Sequence, residues 1–449
     1  MFSINASARE NFDSKAELLL GHIVSAPREE TKKEKFESDI HIAATITAKD
    51  IIGELREGIS DYRGNKVGRF FIFGEKRYGL IGENHEQLVK LAESLQKLPT
   101  FRYSVSKDFI EEIIFLWLRN KFENSATHQK FTQFLESEAS SAVKPTTVFV
   151  PIANTVVEAT FHFCGAIVRN MTKAMIDDLA SMGDQLPDEN RKNAAIFFED
   201  FRQQYQGYAV VEIKLTCEPN YADDLAIEMA TKITDLLGIY SGAVLIPDVK
   251  CISKMKGTEN LAKYTTMTVA QNGELSLHQG ILDRASIRNW AISKLDLEKY
   301  CQCGLGVISD IANKENRTEF EETVLNMAFL YSKAAFTSDP MEKLVHVLSA
   351  VESTLLKNQS EPIQQNLAER LALFTSPELS ERKAIIKNIR RVYGLRSKYL
   401  HHGHSSSDIV ELSKFFTHVW IFYVKLVINS GRFKTKLDFL EEIDDRKLA

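Results

Sequence analysis

The chain has 449 residues, of which 44% are hydrophobic and 26% charged, and a net charge of −5. Length and composition suit an ordinary soluble protein of two or three domains with ample material for a core. The charge excludes a globally basic nucleic-acid binder but allows a local basic patch.

Residues 1–28 lack an apolar segment behind a basic start, so no secretory signal is expected. The apolar run 415–429 is interrupted by His418 and Lys425 and is too short to span a bilayer, so no membrane partner is expected. The five cysteines, Cys164, Cys217, Cys251, Cys301 and Cys303, are odd in number and widely spread. They read as free thiols in a reducing cytoplasm.

Residues 1–40 hold a short helical candidate at 16–24 and then the charged run "REETKKEKFESD", a solvated surface or linker. Residues 41–280 mix strands and helices and are expected to form one or two α/β sensing or regulatory domains. "GRFFIFGEKRYGLIG" (68–82) predicts two strands around a turn, and "FIEEIIFLWLRNKF" (109–122) a helix. "TTVFVPI" and "TVVEATFHFCGAIV" are strand-like, being rich in β-branched residues. "GYAVVEIKLTCEP" (207–219) alternates as a strand does, and Leu225, Met229, Ile233 and Leu236 follow at helical spacing. Asn272-Gly273 between two alternating runs predicts a two-residue hairpin turn. "CQCGLG" (301–306) has neither the spacing nor the lysine of a phosphate loop and no second Cys/His pair for zinc, so it reads as a turn. His85 and His162 are the conspicuous histidines of this region, and no nucleophile can be paired with either.

Residues 281–315 are expected as a connecting helical segment, and 316–449 as all helix. Phe320, Val324, Met327 and Tyr331 share one face. Leu344, Leu348, Val351 and Leu355 share another, and Ile385, Ile389, Val392 and Tyr399 a third. A last long helix runs over about 409–428, with Ser407 or Asp408 as N-cap and Glu411 placed for a capping box. Pro340, Pro362 and Pro377 sit between helices or at their starts. The fold class is therefore α+β, a mixed N-terminal region followed by an antiparallel helical bundle.

"YGLRSKYLHHGH" (393–404) is the stretch that carries chemistry. With Ile385 as zero, Arg396 falls at about +20° and Val392 at about −20°, so the arginine lies in the apolar stripe. A lone arginine there is costly unless paired. Either Glu352 or Glu369 buries it as an ion pair, or it serves an interface or active site. His401 points about 140° away from Arg396 on an ideal helix. Cooperation between them needs the arginine's reach, an unwound last turn, or a second copy of the helix. Gly403 marks the helix end, where the dipole favours a protonated His401 able to act as acid or base. "HHGH" is poorly spaced for a metal, because Gly403 breaks the geometry between His401 and His404, and no metal is expected. Seven Lys or Arg, among them Arg390, Arg391 and Lys398, stand against one acid between Glu381 and His402. That excess suits RNA, or else is a solvated helix face.

Three segments together resemble Apea-like HEPN domains. These are Ala350-Val351-Glu352 with Leu355-Leu356, then Arg370 with Ala372, then Tyr393 with Arg396-Ser397, His401 and Gly403. They stand in that family's order and spacing and cover roughly the last 130 residues. The resemblance implies a helical bundle that dimerises and a metal-independent endoribonuclease site shared by two protomers, needing no cofactor. It implies Arg396 and His401 as catalytic residues, with Ser397 orienting the imidazole or a phosphate oxygen, and Glu352, Tyr393 and His402 in support. Many members belong to prokaryotic toxin and phage-defence systems, in which a second domain restrains the nuclease or senses a trigger. The doubled histidine departs from the family's single one and leaves His401 and His402 as alternatives. Gly403 replaces the tyrosine that a related variant uses for control by nucleotide transfer. A non-catalytic interaction or nucleotide-binding module is the other reading.

Overall fold

In a computed structural model, the described residues are 2–26, 58–60, 66–74, 76–123, 129–183, 187–258, 263–269, 275–281, 286–287, 289–358, 361–402 and 408–447. The chain divides into two compact units, Met1–Thr146 with Leu215–Leu225 and Thr147–Lys214 with Ala226–Ala449. The expected region 41–280 is thus shared between the two.

The first unit contains helix α1 (Ala6–Gly21), strands β1 (Val24–Ala26), β2 (Gly58–Ser60), β3 (Lys66–Phe73) and β4 (Lys76–Ile81), and helices α2 (Glu83–Gln96), α3 (Lys107–Phe122) and α4 (Phe131–Ala142). The strands form an antiparallel sheet in the order β1-β4-β3-β2. Gly79 is required there, because a Cβ would lie 2.0 Å from the Arg69 carbonyl oxygen. Phe71 and Leu80 of the sheet join Leu88, Leu95, Ile114, Trp117 and Leu135 in one core. Helix α1 begins ten residues before the expected start, since Asn5 caps it and Phe12, Ala16 and Leu19 are buried at helical spacing. Intervening polar residues hide that stripe in the sequence. The charged run that follows lies outside the described residues.

The second unit begins within β5 (Lys144–Pro151) and continues through β6 (Thr155–Val157), β7 (Phe161–Phe163), β8 (Ala166–Asn170), α5 (Lys173–Gly183), α6 (Asp188–Tyr205) and the greater part of β9 (Ala209–Cys217). These give a four-stranded sheet in the order β5-β9-β8-β7. Helix α7 (Pro219–Gly238) follows, with β10 (Lys250–Cys251), β11 (Lys263–Val269), β12 (Leu275–Ile281), β13 (Ser286–Ile287) and β14 (Trp290–Ile292). Strands β11 and β12 pair antiparallel as expected, but the register sets Val269 against Leu275. That leaves an odd number of residues between them, which a two-residue turn does not; Asn272-Gly273 lie outside the described residues. The stretch 281–315 is not purely helical. It carries β13 and β14, the latter parallel to β6, ahead of α8 (Lys294–Gln302) and α9 (Leu305–Asn313). Gly304 joins these two helices at φ +91°, the turn expected of "CQCGLG".

From residue 316 every regular element among the described residues is helical: α10 (Glu319–Ala335), α11 (Pro340–Leu355), α12 (Ile363–Thr375), α13 (Leu379–His402), α14 (Ile409–Ile428) and α15 (Lys436–Asp445), with a short 3-10 turn at Ser430–Arg432. All the expected stripe residues are buried except Tyr399, which is half-buried. Helix α14 lies against α11, α12 and α13 and supplies Phe415, Phe416, Val419, Phe422 and Leu426 to the core. Asp408 caps α14, but the capping box does not close: the Glu411 carboxylate accepts instead from Asn388 of α13 at 2.9 Å and from Lys414 at 2.8 Å.

Lys343 of α11 is fully buried, and its Nζ donates to the carbonyls of Ala243 and Ile246 at 2.7 Å and of Val249 at 2.5 Å. Burial pushes its ammonium down to about 7, with Asp248 opposing. Between about 7 and the ordinary 10.5, the unfolded chain holds this proton more tightly than the folded one. Stability is therefore expected to climb as pH rises across that window and to be lost again as it falls to about 7. Lys343→Met should flatten this rise in urea titrations from pH 7 to 10; an unchanged pH slope would remove the assignment.

Candidate functional site

Helix α13 presents two different faces. Ile385, Ile389 and Val392 point into the bundle and are buried. Arg396 continues that stripe one turn further and stays largely covered, with 27% of its side chain exposed. Its charge is met from α11. Arg396 Nη1 donates to Glu352 Oε1 at 3.0 Å, and the Tyr393 hydroxyl donates to the same oxygen at 2.7 Å. The Glu352 side chain is 19% exposed, so this is a half-buried pair in which geometry matters more than at a surface. The guanidinium also lies 6.0 Å from the centre of the Tyr393 ring. Burial first, and then the bond to Glu352, push the Tyr393 phenol well above its ordinary range, so it remains a donor.

Of the two carboxylates considered from sequence, Glu352 is the partner. Glu369 is taken up by Gln365 at 2.9 Å and Lys447 at 3.0 Å. One donor stays over. Arg396 Nε is buried and has no hydrogen-bond acceptor in the chain as described. Arg169 Nε and Arg202 Nε are likewise buried without an acceptor, so this donor could meet an outside oxygen but does not by itself mark a site.

The outer face of α13 carries Arg390, Arg391, Ser397, Lys398 and His401, all exposed. Arg391 Nη2 reaches the Asp408 carboxylate at 2.5 Å. Helix α13 is continuous through His402, so the last turn is not unwound at His401. The structure thus brings together Arg396, Tyr393 and Glu352, and leaves Ser397, Lys398 and His401 on the other side of the same helix. The side chain of His402 and residues 403–407, including Gly403 and His404, lie outside the described residues. Among the described residues no cluster of three or more metal-ligating side chains occurs. Likewise, no helix is long and apolar enough to cross a membrane.

Sequence reasoning gave Arg370 no role, yet it is the most deeply buried arginine of the bundle, 3% exposed. It forks onto Asp444 at 2.9 and 3.0 Å, and its Nη1 donates to Glu361 at 3.0 Å and to the Leu355 carbonyl at 2.7 Å. The signal that singled out Arg396 was also present here, since Leu367, Leu371 and Phe374 surround Arg370 at helical spacing. Of the two middle-region histidines, His85 is buried, and burial together with Arg69 and Lys66 holds its imidazole below the ordinary value, whereas His162 faces outward from β7. Compared with known proteins, the chain matches no family model, no curated sequence and no solved structure.

Proposed function

We infer that the C-terminal helices form a HEPN-type bundle and that the protein is a metal-independent endoribonuclease, the effector of a prokaryotic toxin or antiphage system acting in the cytoplasm. The observation that carries this reading is the placement of Arg396. It is drawn inward by Glu352, keeps one buried N–H without an acceptor, and sits five residues before an exposed His401 on an unbroken helix.

One protomer therefore holds the cation and the imidazole on different faces. With the helix unbroken and the guanidinium bonded to Glu352, a second copy of α13 across a two-fold axis would place both at one phosphate. His401 would take the 2′-hydroxyl proton, or protonate the leaving 5′-oxygen, as an imidazole can near neutral pH. The 2′-oxygen attacks phosphorus and the P–O5′ bond breaks, leaving a 2′,3′-cyclic phosphate and a free 5′-hydroxyl. Arg396 would stabilise the charge building on the phosphorane oxygens, Ser397 would orient the imidazole or a phosphate oxygen, and Glu352 and Tyr393 would hold the guanidinium. His402 stands beside His401 as the alternative acid or base. The first unit and the β-rich part of the second would restrain the nuclease or bind a phage or cellular trigger.

The closed Glu352–Tyr393–Arg396 network itself favours a second reading, a HEPN interaction or nucleotide-binding module in which Arg396 is structural. Incubating purified protein with total RNA in excess chelator, and expressing wild type and His401→Ala in cells, separates the two. Fragments with cyclic-phosphate ends, and growth arrest lost in the variant, are expected. Intact RNA under every trigger condition would leave the binding module.

A further inference from the structure

We propose that the outer face of α13 is a track for the backbone of a single RNA strand, running from Lys383 to His401. The proposal rests on the nuclease reading only for where the strand ends. With Lys383 as zero, Lys387 lies at about +40°, Arg390 at −20°, Arg391 at +80°, Lys398 at +60° and His401 at 0°. All six are exposed, and they lie opposite the buried Ile385, Ile389 and Val392. No acidic residue interrupts the helix between Lys383 and His401. The line is about 27 Å long, and cations four residues apart are about 6 Å apart, comparable with neighbouring phosphates of an extended strand. Arg391 shares its charge with an acid, Asp408.

Gly394 is the second, independent observation. It lies at about +20°, in the middle of the stripe, and is exposed. A Cβ built there would meet nothing within 4 Å. Glycine inside a helix weakens it relative to alanine, and no internal contact at this position offsets that. A bare backbone in the centre of a cationic line is what close approach of a ribose-phosphate chain needs. The face carries no aromatic platform, so recognition would be of backbone charge and not of base sequence. Leu379 and Leu400 are exposed near the two ends of the helix but do not form the continuous apolar flank of a membrane-surface helix.

The test uses the full chain and a fluorescent 2′-O-methyl dodecauridylate, which cannot be cleaved through its 2′ position, so binding is read apart from catalysis. Wild type is expected to bind with a salt slope that falls by about 0.7 for each phosphate contact removed. K383Q/K387Q should lose about tenfold in affinity at low salt and about 1.4 in slope. Gly394→Ala should weaken binding about threefold while raising Tm, a combination that damage to the fold does not produce. Affinity unchanged in both variants, no binding by wild type, or preference for phosphatidylserine vesicles over the oligonucleotide would each overturn the track. Oligonucleotide binding with these effects, in a protein that cleaves no RNA, would keep the track and remove the nuclease.

Discussion

Arg370→Ala is expected to lower the unfolding free energy of the helical region by about 3–5 kcal/mol, the range for removing one member of a buried charged pair. The size follows from what is left behind. Asp444 loses both arms of a fork, Glu361 loses its cation, and the Leu355 carbonyl loses a donor, all at a side chain 3% exposed. Urea denaturation followed by tryptophan fluorescence measures it, and a loss below about 1 kcal/mol, the level of a surface pair, would show that the clamp is not holding the bundle. Adding Asp444→Asn to Arg370→Ala should cost less than the two single effects combined, because the partners are coupled.

The same clamp has a signature in acid. The bond from Arg370 holds the Asp444 carboxyl down at about 2, below the ordinary 3.8. Between these values the unfolded chain binds the proton and the folded one does not, so the contribution is full above about 4 and is lost as pH falls towards 2. In Arg370→Ala that part of the acid dependence should shrink, because the folded and unfolded Asp444 carboxyls then titrate more nearly alike.

His401→Ala is expected to lower RNA cleavage by about 10²–10⁴-fold, the usual contribution of a positioned general acid or base, with only a small change in Tm because the side chain is exposed. Arg396→Ala should abolish cleavage as well but should also cost about 1–3 kcal/mol of stability, since Glu352 then keeps only Tyr393 as donor within a half-buried site. The pair of variants separates chemistry from scaffolding. If Arg396→Ala destabilises but still cleaves, and His401→Ala and His402→Ala both cleave like wild type, Arg396 is a structural cation and the chemistry does not belong to this site. If only His402→Ala is dead, the proton transfer belongs to His402. Mixing inactive Arg396→Ala with inactive His401→Ala should restore a fraction of the activity if each two-fold site draws on both protomers.

Much of the helical region was legible in the sequence. Phe320 to Tyr331, Leu344 to Leu355 and Ile385 to Val392 repeat at helical spacing, and each of these stripe residues is buried. A repeat of that kind is a local property, readable within two turns of chain. It also exposed Arg396, because one charge inside an apolar stripe is a local anomaly. The start of α1 was not legible, as polar neighbours mask Phe12 and Ala16, whereas the antiparallel pairing of β11 with β12 was, from two alternating runs close in the chain.

Which groups meet is settled by packing between elements distant in the chain. Arg396 chooses Glu352 over Glu369 across 44 residues of chain, Arg370 reaches Asp444 across 74, and Lys343 finds the Ala243 carbonyl across 100. Periodicity assigns a side chain to a face and says nothing of what packs against that face. Helical periodicity alone gives α13 a charged side, an apolar side and an arginine on the apolar one. Packing α11 against it decided that the arginine is held, and left His401 on the opposite face of an unbroken helix, because 100° per residue cannot bring positions five apart to the same side.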